Sequence, residues 1–239
     1  MSRLRTLDEP TPDTAGCAEA LHVFDMDGTL LLNTTASLEI ARHLECLSDL
    51  TRLEARFASG ELDTRGFARE VCRMWEALTP ALVEEVFHGS PWIGGLREVT
   101  ADIRRRGERS VVITMSPDFY AEHLTMFGVD EVVSSRFPPM PFHTDPDPDG
   151  ILTPADKVTV TERILHREGL DRSRCVAYGD SGSDLLLFAA LRCTVAVNAS
   201  EQLRAMASLC YDGDDLREVY HLARQVFLDG IPGRGLSVS

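Results

Sequence analysis

Lysine is nearly absent from this chain. Lys157 is the only one among 24 cationic residues, and 38 acidic residues outweigh them to give a formal charge of −14 at pH 7. So acidic a chain is a poor partner for nucleic acid or an anionic membrane surface, whose affinity rests on clustered positive charge. Apolar runs are short. None approaches the roughly 20 residues of a membrane span, and the N-terminal MSRLRTLDEPTPDTAG carries no apolar core of signal-peptide length. The cysteines, Cys17, Cys46, Cys72, Cys175, Cys193 and Cys210, are scattered, with no CxxC pair and no zinc-like spacing. These absences lead to the expectation of a soluble, cytoplasmic protein with reduced thiols.

What is present is an ordinary globular composition: 239 residues, 44% hydrophobic and 26% charged. A chain of this length buries roughly 70–75% of its unfolded surface, in one large domain or one domain with an insert. Residues 1–18 and 230–239 lack periodicity and read as flexible ends. Residues 20–24 (ALHVF) form a short apolar run closed by DMDGT, the pattern of a buried strand ending in a tight loop. From Asn33 to His88 the signal is helical, with Leu38, Ala41 and Leu44, then Phe67, Val71, Met74, Trp75 and Leu78, at helical spacing; Thr79-Pro80 supplies a cap and first-turn proline for a further helix.

Beyond Pro91 the chain alternates. Strands are expected over 110–114, 131–134, 175–178, 194–197 and 209–211, and helices over 96–106, 117–127, 154–167, 183–191, 201–207 and 216–228, with a proline-rich loop or hairpin over 136–150. The expected fold is α/β: a Rossmann-like, mostly parallel sheet with helices on both faces, built from residues 19–33 and 91–229. A helical cap, residues 34–90, is inserted after the first strand, over the carboxyl ends of the strands. The run Arg104 to Arg106 reads as a solvated helix face, and DPDPDG at 145–150, which lacks the remaining ligands of a calcium loop, as a solvated turn.

The carboxyl ends of the strands carry the residues capable of chemistry. Asp25 and Asp27 follow the first strand and, two apart in extended chain, point to one side. Two carboxylates so close need a cation or a shared proton, and oxygen-only ligands favour Mg²⁺. Gly28 then admits a backbone path that a side chain would obstruct. On its own this segment is also compatible with a plain acidic turn. Thr114 ends the strand SVVIT, and Met115, Ser116 and Pro117 are expected to open a helix whose free N–H groups suit an anion, with Ser116 capping it or assisting. Lys157 lies in the first turns of a helix, where a cation is disfavoured unless an anion sits nearby. In YGDSGSD, Asp180 and Asp184 flank the start of the next helix, and Asp180 at a strand end would complete an acidic metal pocket with Asp25 and Asp27.

DMDGTL, VVITMS, Lys157 and GDSGSD, in this order and spacing, resemble the four motifs of the haloacid dehalogenase-like phosphohydrolases. The resemblance covers roughly residues 20–212, and the insert and GDSGSDLLLF are similar to the phosphoserine-phosphatase-like branch. It implies that Asp25 is the nucleophile forming an aspartyl-phosphate, that Asp27 is the general acid and then base, and that Thr114 and Lys157 bind phosphoryl oxygens. It further implies Mg²⁺ held by the Asp25 carboxylate, the Asp27 carbonyl and Asp180, with Asp184 orienting the metal shell. Gly28, Thr29, Met115, Ser116 and Ser183 are candidates for contacts to phosphate or substrate.

The expected function is Mg²⁺-dependent hydrolysis of a small phosphorylated metabolite. The alternatives are phosphotransferase or phosphomutase chemistry on the same aspartyl-phosphate, and a non-enzymatic phospho-acceptor switch. Such a switch needs roughly half this length and has no insert. Where phosphoserine phosphatases carry an ammonium-reading glutamate, this chain has Asn33, Thr34 and Thr35, with Glu39 later inside a cap helix, so phosphoserine is not the expected substrate. Arg65 and Arg69 are candidates for a substrate carboxylate or second phosphate, against the alternative of a solvated face; Phe67, Met74 and Trp75 read as cap core. Nothing in the composition demands an oligomer.

Overall fold

The computed structural model describes residues 18–229. Of the two ends expected to be flexible, residues 1–17 and 230–239 lie outside the described residues, while Ala18 is already packed into the core. Six strands form one sheet: β1 (Leu21–Phe24), β2 (Arg109–Pro117), β3 (Glu131–Ser135), β4 (Cys175–Gly179), β5 (Cys193–Val197) and β6 (Leu209–Tyr211). Their order is β3-β2-β1-β4-β5-β6, and each neighbouring pair is parallel. The order reverses between β1 and β4, where Val23 lies between Val111 and Ala177. That reversal opens the crevice at which ligands bind in doubly wound sheets.

Alternation of side chains along the strands divides the core in two. Leu21, Val23, Val111, Ile113, Cys175 and Ala177 face α7 (Pro154–Glu168) and α8 (Leu185–Ala190), through Val160, Ile164, Leu187 and Phe188. Phe24, Val112, Val176, Tyr178 and Val195 face α5 (Leu96–Arg105) and α10 (Leu216–Phe227). No helix among the described residues is long and apolar enough to cross a membrane.

The insert holds four helices: α1 (Ala36–His43), α2 (Leu47–Ala58), α3 (Thr64–Met74) and α4 (Pro80–Gly89). Three of the four starts carry a side-chain cap; α2, preceded by Cys46, has none. Thr35 accepts from the Leu38 N–H and Thr79 from the Leu82 N–H, with Pro80 in the first turn, as the sequence signals require. Ile40, Leu53, Val71, Trp75, Val86 and Phe87 join the same apolar cluster as Phe24 and Tyr178, so the insert is seated on the sheet's edge by shared core.

One boundary differs from expectation in a way that matters for the site. β2 continues through Thr114, Met115 and Ser116 to Pro117, with a register shift against β3 between Ile113 and Pro117. The helix expected from Pro117 is reduced to α6 (Asp118–Ala121) and a 3-10 segment, Glu122–Phe127. Asp118 Oδ1 accepts from the Phe119 and Phe137 N–H groups, 2.8 and 3.2 Å away, and so fixes where the chain turns. After α8, the helix expected over 201–207 is α9 (Glu201–Arg204).

At the opposite end of the strands lies a buried polar network. Glu108 accepts from Arg224 Nη1 at 2.6 and 2.8 Å and lies 3.0 Å from His22 Nε2, while the Tyr220 hydroxyl donates to Asp102 at 2.8 Å. Burial alone would raise the Glu108 carboxyl, but hydrogen bonds from His22 and Arg224 outweigh it and hold the group below the usual range. Glu108→Ala leaves the buried Arg224 guanidinium with only the half-exposed Asp229 as a carboxylate partner, and the expected loss is about 3 kcal/mol of unfolding free energy. Urea unfolding checks this; an unchanged midpoint would show that the network does not anchor α10.

Candidate active site

The first strand delivers Asp25 directly to the crevice: its N–H continues the ladder by donating to the Tyr178 carbonyl at 2.9 Å. Asp25 is buried and Asp27 half-buried. Between them and β4 the chain has no room to spare. Gly28 has φ +78°, and a Cβ there would lie 2.2 Å from Asp180 Oδ2. Glycine is therefore required twice over, by its backbone angle and by the carboxylate resting against it.

Lys157 comes from the first turn of α7, whose start is fixed by Thr153 and Asp156 in a reciprocal cap. The side chain is 1% exposed. Its Nζ lies 2.7 Å from Asp25 Oδ1, 2.6 Å from Asp184 Oδ1 and 3.2 Å from Ser183 Oγ. Burial would lower the lysine, but the carboxylates of Asp25 and Asp184 raise it above its ordinary value, so it stays charged. Asp184 is fully engaged, since its Oδ2 accepts from the N–H groups of Asp180 (3.1 Å) and Ser181 (3.4 Å).

Asp27 sits between the sheet and the insert. Its Oδ1 accepts from the Ala36 N–H at 2.7 Å, and its Oδ2 accepts from Ser116 Oγ at 2.5 Å and Thr114 Oγ1 at 3.5 Å. Burial raises its carboxyl above the ordinary range despite these donors. Asp25 is raised further, first by burial and then by the neighbouring Asp184 charge, with Lys157 pulling the other way. Asp180 is pushed up to about 7, again by burial and then by Asp184. Three raised carboxyls in one place mean a shortage of positive charge.

A divalent cation fits that shortage. Asp25, Asp180 and Asp184 each present an oxygen within 4.8 Å of the others, and Asp180 Oδ1 is buried with no hydrogen-bond partner. The donors are all oxygen, the set that a hard ion such as Mg²⁺ takes. Asp184 carries three hydrogen-bond donors and Asp25 one, while Asp180 Oδ1 carries none, so Asp180 and Asp25 are the carboxylates with most room to ligate.

Above these groups is a cavity of about 660 Å³. Asp25, Asp27, Gly28, Thr114, Met115, Ser116, Asp180 and Ser183 line its floor, so most of the residues expected at the site do meet there. Other expectations need correcting. Thr29 is fully buried with an unpartnered hydroxyl and does not reach the cavity. Ser116 caps no helix, because it lies in extended chain; its N–H is taken by Thr114 Oγ1 at 3.1 Å and its hydroxyl by Asp27. Arg65 and Arg69 are exposed, reach no part of the cavity, and face the exposed Asp149 and Asp145 of the DPDPDG loop at 3.8 and 3.7 Å. Phe67 lies on the cavity wall, whereas Trp75 is cap core. Glu54, Phe57 and Asn198 also line it and were not anticipated. Glu54 stands one turn after the buried Leu50 on α2, an acidic residue on the inward side of an amphipathic helix, and that spacing was the available signal.

Comparison with known proteins agrees with this architecture. A phosphoserine phosphatase of Methanocaldococcus jannaschii is 25% identical over 201 residues, covering 83% of this chain and 95% of its own. One of Archaeoglobus fulgidus is 24% identical over 195 residues, 78% of this chain; the match spans 55% of that relative's length. Among solved structures, a HAD family hydrolase from Salmonella enterica serovar Typhi superposes with a TM-score of 0.77 at 19% identity, covering 90% of this chain and 73% of the other. A phosphoserine phosphatase with a phospho-aspartyl intermediate analogue superposes with a TM-score of 0.70 at 23% identity, covering 86% and 99%. The family model described as haloacid dehalogenase-like hydrolase matches residues 22–189. The chain belongs to that family.

Proposed function

We propose that this protein is a Mg²⁺-dependent phosphomonoester hydrolase that works through an aspartyl-phosphate on Asp25, and that residues 34–90 serve as the cap over its site. The observation that carries the reading is the pairing, at 2.7 Å, of a buried carboxylate on the floor of a roofed cavity with the only lysine, which lies beneath it. A bound Mg²⁺, held by Asp25, the Asp27 carbonyl and Asp180, supplies charge neutralisation for the phosphoryl oxygens.

The remaining steps fall to the chain. An Asp25 oxygen attacks phosphorus, and the bond to the leaving oxygen breaks as Asp27 gives it a proton. Asp27 is suited to this because burial keeps its carboxyl raised. The Asp27 carboxylate then takes a proton from water, whose oxygen attacks phosphorus and frees Asp25 and inorganic phosphate. The Thr114 hydroxyl holds a phosphoryl oxygen in line, Lys157 beneath the floor holds Asp25 in place for attack, and Ser116 orients Asp27.

Phosphate release from simple esters in ¹⁸O-labelled water, with and without Mg²⁺, tests the proposal. Release is expected to require the metal and to place label in the phosphate. Unlabelled phosphate would show that the phosphoryl group is not passed to water.

A further inference from the structure

The cavity's roof differs in character from its floor. Apart from backbone, the insert presents apolar Leu38, Phe57, Phe67, Ala68 and Val71 and a few neutral polar groups, among them Asn33 and Thr64. No lysine, arginine or histidine lines the cavity among the described residues. Lys157 lies beneath the floor, engaged with Asp25 and Asp184. The arginines of α3, Arg65, Arg69 and Arg73, recur every fourth residue on its outer side and face Asp145 and Asp149. A substrate carboxylate would therefore enter a cavity with acidic groups below it and no cationic side chain on its wall.

One charged group of the insert does line the wall, and it is Glu54. It is half-buried on α2, and no hydrogen bond or ion pair reaches it from the described residues. Burial raises its carboxyl, with no neighbouring charge contributing. A carboxylate partly withdrawn from water without a partner is destabilised, and a cation is what relieves it. Beside it, three residues along the same helix, is Phe57, whose ring centroid lies 5.3 Å from that of Phe67; both rings line the cavity. Carboxylate and aromatic rings together are the elements of an ammonium site.

We infer that the alcohol half of the substrate is an apolar chain or ring ending in an amine, with no carboxylate, and that Glu54 with Phe57 and Phe67 reads the amine. The inference rests on the phosphatase reading of the same cavity and gives it a substrate class. It also separates this chain from phosphoserine, which carries an amine and a carboxylate together.

A length series of ω-aminoalkyl phosphates, with n-alkyl and ω-carboxyalkyl phosphates of matched length, tests it. At the best length kcat/KM for the amine should exceed that for the alkyl ester by about tenfold, with the carboxylate poorest. Glu54→Gln should bring the amine-to-alkyl ratio close to one, and Glu54→Lys should reverse the order of amine and carboxylate. Ratios within twofold at every length, or an amine preference that survives in Glu54→Gln, would overturn the inference. Calorimetric binding of the matching phosphonates, which need no turnover, reads the same preference. Selective binding without hydrolysis would therefore count against the phosphatase reading while upholding the amine site.

Discussion

Asp25→Asn is expected to lower phosphate release by about 10⁵-fold or more, the scale seen when a nucleophile is removed from a working constellation. The amide keeps the shape of the side chain but cannot form the acyl phosphate. Stability should move the other way. The Asp25 carboxyl is raised well above its ordinary value in the folded protein, by burial first and by Asp184 second. A carboxyl raised on folding holds its proton longer in the native than in the unfolded state, so stability falls as pH rises from the unfolded value, near 4, through the folded one. The asparagine variant lacks that titration. Without added metal it should melt higher than the parent at pH 7 and gain less at pH 4. Steady-state kinetics and thermal melts at the two pH values check both halves. Retained turnover would remove Asp25 from the mechanism; a lower melting temperature at pH 7 would mean that its bond to Lys157 outweighs the burial of its charge.

Lys157→Met should have the second largest effect, lowering kcat/KM by about 10³-fold. The ammonium touches both Asp25 and Asp184, and among the described residues no other cationic side chain contacts either carboxylate. Methionine matches its length and apolar stem but leaves those carboxylates facing one another in a buried site. The variant should therefore also unfold at a lower urea concentration, since one partner of a buried ionic cluster is gone. Lys157→Arg is not a rescue, because a side chain 1% exposed has no space for a guanidinium. A loss of stability with kcat/KM within threefold of the parent would make the lysine a structural strut only.

The two carboxylates that follow β1 and the lysine of α7 were legible because their positions depend on strand ends, and strand ends follow from short apolar runs closed by polar loops. In a parallel sheet all such ends meet at one edge, so residues far apart in sequence become neighbours without any further information. Side-chain facing within the insert was legible only in part. Arg65, Arg69 and Arg73 lie two residues out of step with Phe67, Val71 and Trp75, about half a helical turn, and that offset already places them on the far side of α3. The periodicity that marks Phe67 as inward cannot separate core from cavity, since both lie inward. The extension of β2 to Pro117 was hidden by a local rule: Ser-Pro reads as a helix start, and the register shift beside β3 that overrides it is a tertiary event.

The hydrogen bond from the Ala36 N–H to Asp27 Oδ1 spans two parts of the chain with different duties, since Ala36 opens the first helix of the insert. A donor to a carboxylate favours the ionised form while burial favours the protonated one, so the position of that helix bears on both influences that set the Asp27 carboxyl. Linkage makes the effect reciprocal: the protonation of Asp27 acts on the helix by as much as the helix acts on the proton. Roof position and the protonation of Asp27 are thus one thermodynamic variable seen from two ends.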